Sequence, residues 1–333
     1  MKSILITGGA GFIGSNYIDY HVSKYPEDNL ICLDALTYAA DLKNIINHID
    51  YGTVLFEYGD ICDSVLVKHI LRKHTITDVI HFAAETHVDN SILNPEIFVT
   101  TNVLGTSTLL GECLSFWKEI GTFETSRFHH ISTDEVYGTL GLTGLFSETT
   151  PYAPNSPYSA SKASSDMMVR AFHETYNMNT VITNCSNNYG PKQHHEKLIP
   201  KVIKNALEGK DIPIYGNGEN IRDWLYVEDH CSGIDLAFRT GNSGETYNIG
   251  GRNEKKNIEI VYEICDIMNM LAPKHKPYFD QVKFVDDRPG HDLRYAIDAS
   301  KIENQLGWKA KETFATGIVK TVEWYLKEFG AIK

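Results

Sequence analysis

Ser3-Ile4-Leu5-Ile6-Thr7-Gly8-Gly9-Ala10-Gly11-Phe12-Ile13-Gly14 is the stretch from which the fold can be read. Its first five residues form a short apolar run of strand character. Gly8, Gly11 and Gly14 are three apart, and Phe12, Ile13, Tyr17, Ile18 and Val22 fall on a helical stripe. Strand, glycine-rich turn and helix in that order suit a dinucleotide. The glycines allow a tight turn, close approach of a pyrophosphate to the backbone, and close packing of helix on strand. The pyrophosphate would rest on exposed N–H groups at the helix N-terminus. Residues 30–34 read as a second strand, and Asp34 stands 20 residues past Gly14. A carboxylate there hydrogen-bonds a ribose 2′-OH and repels a 2′-phosphate. No Lys or Arg follows before Lys43, so the expected cofactor is NAD rather than NADP. The competing reading is a glycine-rich loop that holds no ligand.

Further strands continue the pattern. Residues 53–58 form a third, ending at Gly59-Asp60-Ile61, and residues 63–74 have helical spacing. Residues 78–82 form a fourth, leading into Ala83 and Ala84, which leave room for a cofactor against the backbone. Residues 95–116 read as one long helix with Asn102 inside it. The apolar run 128–131 ends a fifth strand, so the fold class is α/β with a doubly wound parallel sheet. In such sheets ligands lie just beyond the carboxyl ends of the strands. There stand Ser132, Thr133, Asp134 and Glu135. Two adjacent carboxyls are costly to ionise together, so one keeps a proton and the pair offers an acid and a base. Alone, the pair reads more readily as solvated acids at a helix N-terminus.

After a Pro-rich turn, Ser156 suits an N-cap with Pro157 at the first helical position. Tyr158 and Lys162 then share one helix face. A phenol titrates near ~10, and an adjacent ammonium together with the helix N-terminus is expected to lower it toward a working base. Taken by itself, Tyr-x-x-x-Lys is common spacing on a surface.

The second half mixes strands and turns. Residues 180–185 form a sixth strand, followed by Ser186-Asn187-Asn188-Tyr189-Gly190-Pro191. Lys192, Lys197 and Lys201 bring positive charge to the next helix start. Strands are expected at 211–215 and 246–249, with Arg222 leading a buried-looking edge between them. Asn257 is expected to cap a helix reaching about Leu271, and residues 288–294 form a basic loop. Residues 314–329 read as a final amphipathic helix.

The 333 residues carry a formal charge of −12, which disfavours nonspecific binding to nucleic acid or an anionic membrane. An anionic ligand would need a local cluster of Arg and Lys. The six cysteines show no CxxC pairing, which argues against a zinc site or disulfide framework and suits a reducing cytoplasm. No signal peptide, membrane span or metal site is expected.

Residues 7–14 together with Tyr158-Ser159-Ala160-Ser161-Lys162 resemble the extended short-chain dehydrogenase/reductase family. Within it, Ser132-Thr133-Asp134-Glu135-Val136-Tyr137-Gly138 resembles the dTDP-glucose 4,6-dehydratases. Nucleotide-sugar epimerases and decarboxylases lack the Asp-Glu pair, and GDP-mannose dehydratases keep the Glu behind a different residue. The resemblance runs over essentially the whole chain. It implies a Rossmann-type NAD domain over residues 1–180 and a smaller, mainly nucleotide-sugar domain over 181–333. Segments near 211–250 partly return to the first.

For NAD, the resemblance implies Gly8, Gly11, Phe12, Ile13, Gly14, Asp34, Leu36 and Thr37, then Asp60, Ile61, Ala83, Ala84 and Thr101. Tyr158, Lys162 and Asn188 complete that set. For dTDP-glucose it implies Thr86, His87, Thr133 and Asn187, then Lys197, Leu198, Lys201, Pro213 and Tyr215. Arg222, Asn257, Arg288 and His291 are implied around the diphosphate, where a planar guanidinium fork binds phosphate oxygens in pairs. Arginines that merely bridge surface carboxylates are the alternative. Thr133, Asp134, Glu135, Tyr158 and Lys162 are the implied catalytic group, and a homodimer through helices 95–116 and 157–176 is implied as well. Two alternatives stay open: a 4-epimerase, which needs only Tyr158, Thr133 and NAD, and a non-catalytic NAD-binding scaffold.

Overall fold

Apolar runs that are buried on both faces make the strands of a parallel sheet covered by helices. The computed structural model describes residues 2–287 and 292–333. Strands β1 (Ser3–Thr7), β2 (Asn29–Asp34), β3 (Val54–Tyr58), β4 (Asp78–His81), β5 (Arg127–Thr133) and β6 (Thr180–Cys185) alternate with helices. The chain then leaves the sheet for β7 (Asn187–Tyr189), β8 (Ile212–Tyr215) and β9 (Ile221–Tyr226). It returns for β10 (Thr246–Ile249), then departs again for β11 (Glu254–Lys256), β12 (Val282–Val285) and β13 (Arg294–Tyr295).

β1 to β6 and β10 form one parallel sheet in the order β10-β6-β5-β4-β1-β2-β3. The order reverses at β1, whose Ile4 faces Leu30 of β2 on one side and Asp78 of β4 on the other. A crevice opens at such a switch point, outside the carboxyl ends of the strands. Side-chain alternation sends Ile4 and Ile6 into one core with Ile18 and Tyr17, and Leu5 into another with Leu109 and Trp117. A third core belongs to the second lobe, where Tyr189, Trp224, Phe314 and Tyr325 pack beneath β7, β9 and the Phe314–Glu328 helix. In that lobe β9 pairs with β7, β11 and β13, and β8 pairs with β12.

Several expectations need correcting. The long helix runs over Pro95–Glu119, and its Val99–Gly105 stretch is widened to a π-helix. By length and composition alone it could cross a membrane, although no span was expected. Here it is a flank of the sheet, with Leu109, Leu110, Cys113, Phe116 and Trp117 buried. A short helix, Val88–Leu93, precedes it and was not foreseen. Asn257 is the first residue of its helix and not the cap. Lys256 holds the cap position, where its N–H donates to Glu259 Oε2 at 2.9 Å, and the Asn257 N–H donates to Asn220 O.

Candidate active site

The strand ends of the large sheet open onto one cleft of about 1600 Å³ of empty space, mouth included. Gly8, Gly11 and Gly14 line it with Phe12, Ile13, Asp34 and Thr37. Asp60, Ile61, Ala83, Ala84, Thr86 and Thr101 continue the wall. Thr133, Asp134, Glu135, Tyr158 and Lys162 complete it with Asn187, Asn188 and Lys197.

At the glycine turn there is no room for side chains. A Cβ on Gly14 would stand 2.3 Å from Gly8 O, and one on Gly8, at φ +71°, would stand 2.6 Å from Ala83 N. The bare backbone and the N-terminus of the Phe12–Lys24 helix therefore fit a pyrophosphate. Asp34 is fixed beside it, accepting from Ala10 N at 2.9 Å and Leu36 N at 2.8 Å. Burial raises its carboxyl, and those two bonds oppose the rise. The wall from Asp34 to Ala40 carries no Lys or Arg, so nothing there would welcome a 2′-phosphate.

At the other end of the cleft β5 terminates in Thr133, which caps the Asp134–Tyr137 turn by accepting from Glu135 N at 3.3 Å. Its hydroxyl lies 3.4 Å from Asp134 Oδ1 and also serves the Tyr158 phenol. Asp134 is buried, and its Oδ2 has no hydrogen-bond partner among the described residues. Burial pushes its pKa well up, and the charges of Glu135 and Asp223 push it further. The neutral form of Asp134 is thereby favoured well beyond the ordinary carboxylate range, and Glu135 shares the same cleft. Ser156 caps the Pro157–Tyr176 helix, as its sequence suggested, and delivers Tyr158 and Lys162 to the cleft. Lys162 Nζ donates to Ile131 O at 2.8 Å. The phenol runs against expectation, because burial and then the Glu135 charge raise it, and the Thr133 hydroxyl opposes that rise.

Other expected residues sit off the cleft wall. Leu36, at φ 51°, turns its side chain onto the sheet core, and Leu198 packs in the second lobe. His87 caps the Val88–Leu93 helix, and Lys201 lies inside the Leu198–Glu208 helix. Pro213 and Tyr215 belong to β8. Arg222 is buried behind Asp134, whose carboxyl feels its charge. It donates to Ile221 O at 2.8 Å and Asp292 O at 2.9 Å, and lies over the Tyr295 ring. Arg288 and His291 lie outside the described residues. Arg294, from the same basic loop, is a structural pin that pairs with Glu254 and donates to Gly144 O.

Sequence reasoning missed Glu85, Cys185, Gln193, His194 and Glu196, which also line the cleft. The signal available was the Gly190-Pro191 turn with His194-His195-Glu196 after it. That segment crosses to the first lobe, where the His194 ring meets Tyr38 edge-on and Lys197 donates to Thr86 O at 3.1 Å.

The model of the GDP-mannose 4,6 dehydratase family matches residues 5–321. A dTDP-glucose 4,6-dehydratase of Shigella flexneri is 53% identical over 334 residues, spanning 97% of this chain and 92% of that protein. The crystal structure of a dTDP-glucose 4,6-dehydratase from Bacillus anthracis in complex with NAD matches with TM-score 0.88 and 45% identity, covering 99% and 98% of the two chains. One from Streptomyces venezuelae, also with NAD, matches with TM-score 0.91 and 42% identity, covering 98% of each. With a glycine cradle, a Tyr-Lys pair and an Asp-Glu pair in one cleft, the chain belongs to the family described by the GDP-mannose 4,6 dehydratase model.

Proposed function

We propose that this protein is an NAD-dependent dTDP-glucose 4,6-dehydratase, a hydro-lyase that forms the 4-keto-6-deoxy sugar and water. The observation that carries the reading is Asp134, a buried carboxyl whose pKa burial and the Glu135 charge push well up, in the cleft that also holds Glu135, Tyr158 and Lys162. The family model bears the name of a GDP-mannose enzyme, but Asp134 before Glu135 favours the dTDP-glucose branch. NAD, when bound, supplies the hydride chemistry between C4 and C6 of one sugar and places a cation near Tyr158. Tyr158 takes the proton of the 4-OH, with the Thr133 hydroxyl sharing the hydrogen bond. The resulting 4-ketone acidifies C5–H, which Glu135 removes while Asp134 protonates the departing 6-OH. The phenol, held up by its protein surroundings, depends on Lys162 and on the cofactor's positive charge to work as a base.

The glycine turn suits a dinucleotide pyrophosphate, and Asp34 favours NAD over NADP. The lobe built on β7, β8 and β9 takes the nucleotide sugar in this reading, with Asn187 and Lys197 at the cleft and Arg222, Asn257, Arg288 and His291 assigned to the diphosphate side. A homodimer is part of the proposal, because Ile97, Val99, Leu104 and Met167 leave large apolar side chains exposed along the two helices. A cytoplasmic location is supported by six free thiols. The test is incubation with dTDP-glucose and UDP-glucose, read by mass. Loss of one water from dTDP-glucose, with deuterium moving from C4 to C6, is expected. Label returned to C4 of a sugar of unchanged mass would mean an epimerase, and no label movement a binding scaffold.

A further inference from the structure

Tyr158, Lys162 and Asp166 follow one another at four-residue steps along one face of the Pro157–Tyr176 helix, and all three are buried. The reaction proposed above uses the first two and leaves Asp166 without a task. Its surroundings are specific. Asp166 Oδ1 lies 3.2 Å from Nε2 of His130, and that nitrogen lies 3.4 Å from Lys162 Nζ. The imidazole edge thus stands between ammonium and carboxylate. Asp166 Oδ2 accepts from Ser132 Oγ and Tyr152 OH, each at 2.9 Å. Two hydroxyl donors on one carboxylate oxygen favour its ionised form. A buried ammonium without an anion tends to lose its proton.

We propose that Asp166 is the positioning residue and counter-ion of Lys162, keeping the buried ammonium charged and in place beside the edge of His130, in the cleft that Tyr158 also lines. Burial drives Lys162 down, and Asp166 opposes this. Burial likewise pushes Asp166 up to about 6, against the pull of Lys162 and the two hydroxyls. The other groups facing the pair stay neutral through the working range. Burial holds His130 and His81 well down, and holds the Cys185 thiol and the Tyr137 and Tyr152 phenols up. The carboxyls of Asp134 and Glu135 act in the later elimination, so the first hydride transfer reports on Asp166 separately.

This inference rests on Tyr158 and Lys162 as the oxidising pair. The test follows NADH absorbance after dTDP-glucose is added to the NAD-loaded enzyme, from pH 5 to 9. In the wild type the rate should fall below about pH 6 as Asp166 takes a proton. Asp166→Asn keeps the size and can still bond the hydroxyls. It should slow the step about tenfold for each unit of pKa the pair loses, remove the limb near pH 6, and leave KM unchanged. Tyr152→Phe takes one donor from Asp166 and should move the limb to higher pH. A wild-type rate and limb in Asp166→Asn overturns the proposal. If that variant does not fold, an unmoved limb in Tyr152→Phe does so instead. Tyr158→Phe separates the two readings: full speed there sinks the oxidising pair itself, whereas a slow Tyr158→Phe beside a normal Asp166→Asn sinks only this inference.

Discussion

Asp134 shows how far one side chain depends on what surrounds it. Burial and the neighbouring Glu135 push its pKa well up, and its Oδ2, without a hydrogen-bond partner among the described residues, marks it as a group held for something other than structure. Asp134→Asn and Glu135→Gln should each slow dehydration by about 10²–10⁴ yet still oxidise C4, so NADH should accumulate on the enzyme. Rapid-scan absorbance checks this, and a variant that dehydrates at the normal rate removes that residue from the elimination. Stability carries a second signature. The folded pKa of Asp134 is raised, so its contribution is fully present below the unfolded value of about 3.9 and is lost as pH climbs toward the folded one. Asp134→Asn should therefore make urea stability fall less steeply as pH rises above about 3.9, by up to ~1.4 kcal/mol per pH unit. The Asp-Glu and Tyr-Lys pairs were legible in the sequence because each lies within one turn of chain. The direction of the phenol's shift was not, because burial decides it and the groups that bury it, such as Cys185 on β6, arrive from distant parts of the chain.

Periodicity revealed a helix over 95–116, three residues short of its observed end at Glu119, but not its widened stretch. That stretch depends on what Asn102 must reach. Its amide accepts from Glu85 N at 2.8 Å and donates to Glu85 O at 3.0 Å and Ser161 Oγ at 2.8 Å. One side chain thus ties the loop after β4 to the catalytic helix, and π-bulges often occur at such functional places. Asn102→Ala leaves buried backbone groups of Glu85 without partners and should cost about 2–4 kcal/mol. Chemical denaturation measures it, and a cost under about 0.5 kcal/mol would mean that the loop is held by something else. The displaced cap at Lys256 has a similar lesson. Asn257 is the better capping type, but Glu259 reaches back to the Lys256 N–H and sets the first turn one residue earlier than the residue type suggests.

For the molecule as a whole, the succession of strands along the first half of the chain was legible because each strand has its own apolar run and terminating turn. The second lobe was less so, since its β7, β11 and β13 are only two or three residues long. Substituting Leu104→Glu in the exposed apolar face should turn a dimer into a monomer by sedimentation, with the NAD cradle untouched. A wild type that already sediments as a monomer removes the dimer from the proposal. The return of β10 to the sheet has a consequence for how the protein is made. β6 ends at Cys185 and its neighbour begins at Thr246, so the ribosome must add about 60 more residues before that edge is covered. At about 5–20 residues per second the nascent sheet shows an open, apolar strand for roughly 3–12 s. A chain stopped at residue 190 never covers it. Such a fragment should aggregate on expression even though it contains every residue of the glycine turn and the Tyr-Lys pair, and a soluble fragment would show that β6 is a stable edge by itself.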